Sequence, residues 1–100
     1  MVEKSMKILV RDIIAKTQFT GLKKDKNYYI ICLFTNHKEV VIPSHLKEQH
    51  PLELTIIIQH QFLIKEVSEK KFIINLAFNG KHYDLTIPFD AISMFYDLDD

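Results

Sequence analysis

The sequence predicts a mainly β protein, α+β by count, in which one N-terminal helix packs on a small, two-sheet, barrel-like antiparallel β domain. Three observations lead there. Apolar residues at helical spacing are confined to the segment before Gly21. From Tyr28 onward β-branched and aromatic residues dominate. The step Asn79-Gly80 stands between two alternating apolar runs, as in a tight hairpin.

The helix is expected over about residues 5–19, because Met6, Leu9, Val10, Ile13 and Ile14 recur on one side while Lys7, Arg11, Asp12 and Lys16 take the other. Ser5 is its candidate cap, and Gly21 lies just past its end. Lys23-Lys24-Asp25-Lys26 reads as a solvated turn. A β-rich region over residues 27–97 follows, with strands expected at Tyr28–Thr35, Leu52–Ile64, Phe72–Phe78 and Tyr83–Pro88 and a shorter one at Val40–Ile42. Ser44 can cap a single helical turn running to Gln49, and Asp90 another from Ala91 to Tyr96. The whole reads as a helix followed by a β meander in one domain, residues 1–100.

A type I′ hairpin needs positive φ at both central residues, which Asn and Gly tolerate. A two-residue loop at Asn79-Gly80 pairs Leu76 with Tyr83, Ile74 with Leu85 and Phe72 with Ile87; a wider loop would pair Leu76 with Leu85. Both registers keep one apolar face and leave Asn75, Ala77, His82, Asp84 and Thr86 on the other.

Composition narrows the function classes. Thirteen basic residues balance thirteen acidic ones, so no excess field attracts phosphate backbones or anionic lipids, and nucleic acid is disfavoured as the main partner. No apolar run approaches a membrane span, and the N-terminus lacks the apolar core of a secretory signal. The single cysteine, Cys32, lies in an apolar run and reads as a small buried hydrophobe without a disulfide partner, in a reducing compartment, which suits a cytoplasmic protein.

His37, His45, His50, His60 and His82 fall in no metal-ligand spacing, the serines lack a nucleophile context, and neither glycine belongs to a phosphate-cradling loop. The expectation is a protein without cofactor, metal or catalytic residues.

The distinctive segment is Leu54-Thr55-Ile56-Ile57-Ile58-Gln59-His60-Gln61-Phe62. Alternation along this strand sets Ile58, His60, Phe62 and Ile64 on one face and Ile57, Gln59, Gln61 and Leu63 on the other. His60 then reads as a core histidine. The two glutamines read either as solvent-face residues or as amides whose donors and acceptors match a peptide backbone. From the residues alone the reading stops at a small β-rich binding module.

The run Thr55-Ile56-Ile57-Ile58-Gln59-His60-Gln61-Phe62 resembles the TIVLQHQ-type strand of the stringent starvation protein B (SspB) family in its alphaproteobacterial branch. Asn27-Tyr28-Tyr29-Ile30, Val41-Ile42-Pro43 with Leu46, and His50-Pro51 resemble segments of that branch in the same order. So do Leu76-Ala77-Phe78-Asn79-Gly80 and Leu85-Thr86-Ile87-Pro88-Phe89-Asp90-Ala91-Ile92 with Phe95-Tyr96-Asp97.

The resemblance implies an adaptor that binds ssrA-tagged polypeptides in a groove and delivers them to the ClpXP protease, as a homodimer through its N-terminal helix. Gln59 matches a tag-contacting glutamine of that branch, and Gln61, Asn75 and Ala77 join it as candidate peptide-binding residues by face parity. Two positions depart from the pattern: Asn79 replaces a hairpin glycine, and His82 stands where many relatives have proline. Relatives continue past Leu98-Asp99-Asp100 into a linker and a ClpX-docking motif, so the 100 residues are expected to hold the tag-reading part without that tether. The alternative is a small β-barrel RNA-binding or general protein-interaction module. RNA binding would require Lys23, Lys24, Lys26, Lys70, Lys71 and Lys81 to share one face.

Overall fold

The computed structural model describes residues 4–21 and 27–99, with the side chains of residues 4–6, 27, 98 and 99 outside the description. Helix α1 (Lys4–Thr20) comes first. Strand β1 (Asn27–Phe34), the short helix α2 (Ser44–Gln49), strands β2 (Glu53–Ile58), β3 (Phe62–Val67), β4 (Lys71–Phe78) and β5 (Lys81–Pro88), a 3-10 turn (Phe89–Ala91) and strand β6 (Ile92–Asp99) follow. The strands form two antiparallel sheets of three, ordered β2-β1-β6 and β3-β4-β5. The expected helix on two sheets is what the chain forms, and the sheets do not close into a barrel.

Alternation explains the core. Tyr29, Ile31 and Leu33 of β1, Leu54, Ile56 and Ile58 of β2 and Ile92 of β6 are buried from one sheet. Ile64, Phe72, Ile74, Leu76, Leu85 and Ile87 are buried from the other. These residues, every second one along each strand, form a single apolar cluster between the sheets.

Helix α1 adds Val10 and Ile14 and packs against β3 and the 3-10 turn. Thr17 is buried too, with its hydroxyl donating to the Ile13 carbonyl and lying 2.8 Å from the Tyr29 hydroxyl. Gly21 ends the helix at φ +69, its N–H donating to the Thr17 carbonyl at 2.9 Å, the left-handed cap that glycine adopts without a Cβ penalty. The expected apolar stripe is narrower than the sequence suggested, since Leu9 is 57% exposed; Ile8 and Phe19, outside that stripe, are exposed at 46% and 86%. The helix begins one residue before the proposed cap Ser5, whose side chain, like that of Met6 and the whole Lys23–Lys26 turn, lies outside the described residues.

Four elements differ from expectation. Leu52–Ile64 is two strands, not one: β2 ends at Ile58, β3 begins at Phe62, and the two belong to different sheets. Between them His60 takes φ +61, and the Phe62 N–H donates to the His60 carbonyl at 3.2 Å. This sharp corner lets the chain leave one sheet and enter the other.

The Ala91–Tyr96 segment is not a helix capped by Asp90. It is the end of a 3-10 turn followed by β6, which pairs along β1 and sets the Phe95 ring against Tyr29 at 5.3 Å. Finally, α2 starts after Pro43, which caps it without a side-chain bond, so Ser44 is its first helical residue. The short strand expected at Val40–Ile42 is reduced to a single bridge between Val41 and Thr86.

A left-handed conformation costs a residue with a Cβ about 1 to 2 kcal/mol, and histidine tolerates it better than a β-branched side chain does. His60→Val is therefore expected to lower unfolding free energy by about 1 to 2 kcal/mol in urea melts. His60→Gly should leave it within about 1 kcal/mol of the parent.

The Lys7 ammonium donates to the Asp90 carboxylate, tying α1 to the 3-10 turn. That hydrogen bond, and then the charge of Lys7, hold the Asp90 carboxyl below the ordinary carboxylate range. A carboxyl depressed in the folded state contributes stability above its unfolded pKa and loses it as the pH falls through the folded value. Because Asp90 is largely exposed, solvent screening limits the contribution to under about 1 kcal/mol. Asp90→Asn should thus cost at most that at neutral pH, and urea melts of parent and variant should converge in acid.

Candidate functional site

The Asn79-Gly80 turn fixes the outer face of the β3-β4-β5 sheet. Both residues have positive φ, 53° and 82°, and the two-residue register holds: Leu76 faces Tyr83, Ile74 faces Leu85 and Phe72 faces Ile87. Asn75 therefore faces Asp84 and Ala77 faces His82 on the side away from the core. On the other flank of β4, Leu63 faces Asn75 and is 59% exposed.

A chain of hydrogen bonds crosses this face. The Asn75 Nδ2 donates to Asp84 Oδ1 at 2.9 Å, and Lys65 Nζ donates to Asp84 Oδ2 at 2.9 Å. His82 Nδ1 lies 2.8 Å from Asn75 Oδ1. Lys65 reaches Asp84 from a bulge in β3, where the register shifts between Ile64 and Glu66; such bulges re-aim a side chain. The bond from Asn75, and next the bond and charge of Lys65, lower the Asp84 pKa, so this exposed group stays ionised and accepts from both neighbours. Lys65 was not among the residues singled out in the sequence, because a bulge shifts the register that parity alone would give.

The four candidate residues divide between two places. Asn75 and Ala77 share the outer face of β4, half-buried and exposed respectively. Gln61 is exposed and immediately precedes β3. Gln59 is half-buried just past the end of β2, on the other side of the His60 corner.

The single-strand argument that aligned the two glutamines therefore does not apply, since alternation is interrupted at His60. His60 itself is exposed at the corner and is not the core histidine expected, because the turn that separates the sheets rotates it out to solvent. On the inner side of the same end, His45 and Phe78 lie against the Tyr83 ring at 5.3 and 6.4 Å.

A model of the stringent starvation protein B family matches residues 1–99. The chain belongs to that family. A search of curated proteins gave no match. Stringent starvation protein B is an adaptor family, generally non-enzymatic, whose members work by partnering with other proteins.

Among the described residues no group of three or more His, Cys, Asp or Glu side chains could hold a metal ion, and no helix is long and apolar enough to cross a membrane. The lysines named for the RNA alternative divide as well. Lys70 and Lys71 sit at the start of β4, and Lys81 follows the hairpin at its other end, about 25 Å away at the rise of an extended strand. Lys23, Lys24 and Lys26 lie outside the described residues.

Proposed function

We propose that this chain is the tag-reading domain of an SspB-type adaptor: it binds ssrA-tagged polypeptides at a site that includes Gln59, Gln61, Asn75 and Ala77, for an adaptor that delivers them to the ClpXP protease. The observation that carries the reading is the His60 corner. It leaves a half-buried amide, Gln59, just past the end of β2 where the chain passes from one sheet to the other, with Gln61 exposed on the β3 side of the turn and the small Ala77 exposed on the outer face of β4. Around this site the side-chain hydrogen bonds among the described residues run through Lys65, Asn75, His82 and Asp84 and use neither glutamine amide. An extended peptide offers the N–H and C=O groups that such amides match.

The adaptor carries out no bond chemistry. Holding the tag near the unfoldase raises its effective concentration to about the millimolar range typical of tethering. Dimerisation through α1 is supported by the exposed Ile8, Leu9 and Phe19, apolar side chains that a second copy would cover. A cytoplasmic setting accords with the free thiol of Cys32, which is half-buried beside Thr55 and not buried as expected, because alternation along β1 gives the core to Ile31 and Leu33.

The direct test is fluorescence anisotropy of a labelled ssrA peptide titrated with the protein. Saturable binding that a scrambled peptide does not reproduce is the expected result, and equal binding of both peptides would reject the reading.

A further inference from the structure

The hydrogen-bond chain on the outer face of β4 dictates the state of His82. An ionised Asp84 only accepts, so the Asn75 amide must turn its Nδ2 toward Asp84 and its Oδ1 toward His82. An Oδ1 only accepts too, so the imidazole must carry its proton on Nδ1. While the ring is neutral, Nε2 is then a bare acceptor on an exposed side chain. It stands opposite Ala77, the smallest side chain of the β4 outer face.

We propose that His82 is a specificity-determining residue of the peptide site, its Nε2 accepting a hydrogen bond from a main-chain N–H or an Asn or Gln side-chain amide of the bound peptide. Asn75 is then a positioning residue, which sets the tautomer and ring orientation through Nδ1. The inference rests on the peptide-binding reading above. It adds a chemical preference: a donor is favoured at this point of the peptide while the ring is neutral, and a carboxylate once protonation turns Nε2 into a donor.

Among the described residues, the charged groups on the strands that carry and flank the ring are these. Asp84 lies two residues along the same strand, Lys65 and Glu66 belong to β3, and Lys71 lies at the far end of β4. Lys81 precedes His82 at the hairpin, and His45 packs on Tyr83 toward the inner side. Asp84 remains a carboxylate over the range in which histidine titrates, so the anchor of the chain is kept as the pH falls.

The test is titration of the labelled ssrA peptide from about pH 8 to about pH 5.5, the interval in which a histidine changes charge. The parent protein, His82→Ala and His82→Gln are compared, and the imidazole nitrogen shifts of the parent are recorded by NMR. The parent Kd should rise about five- to tenfold on acidification, as for the loss of one neutral hydrogen bond. His82→Ala should show that weakening already at high pH, and His82→Gln should bind with no pH dependence of this origin.

The nitrogen shifts should report the Nδ1–H tautomer in the free protein. An Nε2–H tautomer, an unchanged Kd in His82→Ala, or an equal pH response in His82→Gln overturns the proposal while leaving peptide binding standing. Failure of the parent to bind the peptide at any pH instead removes the reading on which it rests. His82 is on the surface, and circular dichroism of the variants confirms that they fold.

Discussion

Phe72→Ala is expected to lower the unfolding free energy by about 3 to 5 kcal/mol, the range for truncating a fully buried aromatic side chain. Phe72 is completely buried on the central strand of the β3-β4-β5 sheet, opposite Ile87 on one side and Val67 on the other. Its ring stacks on Phe89 with centroids 5.5 Å apart and an interplanar angle of 28°. Phe89 belongs to the 3-10 turn on which α1 rests, so the space left by Phe72 would border both sheets and the support of the helix. Small domains hold only about 5 to 15 kcal/mol in total, so the variant should unfold at far lower urea than the parent. A loss below about 1.5 kcal/mol would mean that the two sheets collapse to fill the cavity, against the close packing assumed for this interior.

Gln59→Ala is expected to weaken binding of an ssrA peptide by about 1 to 3 kcal/mol, a rise in Kd of roughly five- to 150-fold. Stability should change little. Gln59 lies beyond the last paired residue of β2, with Ile58 opposite Tyr29 closing that ladder, and its side chain is half-buried without belonging to the apolar cluster. An amide held partly out of water strengthens any hydrogen bond it makes to a peptide and leaves an unpaired group on that peptide when it is removed. The measurement is anisotropy with the parent and variant, alongside their thermal melts. An unchanged Kd would remove Gln59 from the site, and a large fall in melting temperature would assign it a structural role instead.

Much of the candidate site was legible because it depends on local rules. The Asn79-Gly80 turn sets the register of β4 and β5, and a period of two then puts Asn75, Ala77, His82 and Asp84 on one face. The reach of Lys65 was hidden, since it depends on a bulge whose position only the pairing of β3 with β4 reveals. Strand β6 was hidden for a related reason. Asp90 before an apolar segment suits a helix cap as well as a strand start, and what decides is the open edge of β1, distant in sequence.

Local rules were enough for the segregation of one helix from a β region, the hairpin at Asn79-Gly80, and the alternation that buries one face of each strand. Those follow from φ preferences and side-chain periodicity, which act within a few residues. That Leu52–Ile64 breaks at His60, with its halves in different sheets, came instead from contacts between residues far apart in the chain. No glycine or proline marks the break. The left-handed turn is unfavourable locally and persists because Ile58 and Ile64, on either side of it, are each buried in the core between the sheets. That same turn separates Gln59 from Gln61, so the placement of the residue most important to the proposed function was settled by long-range packing.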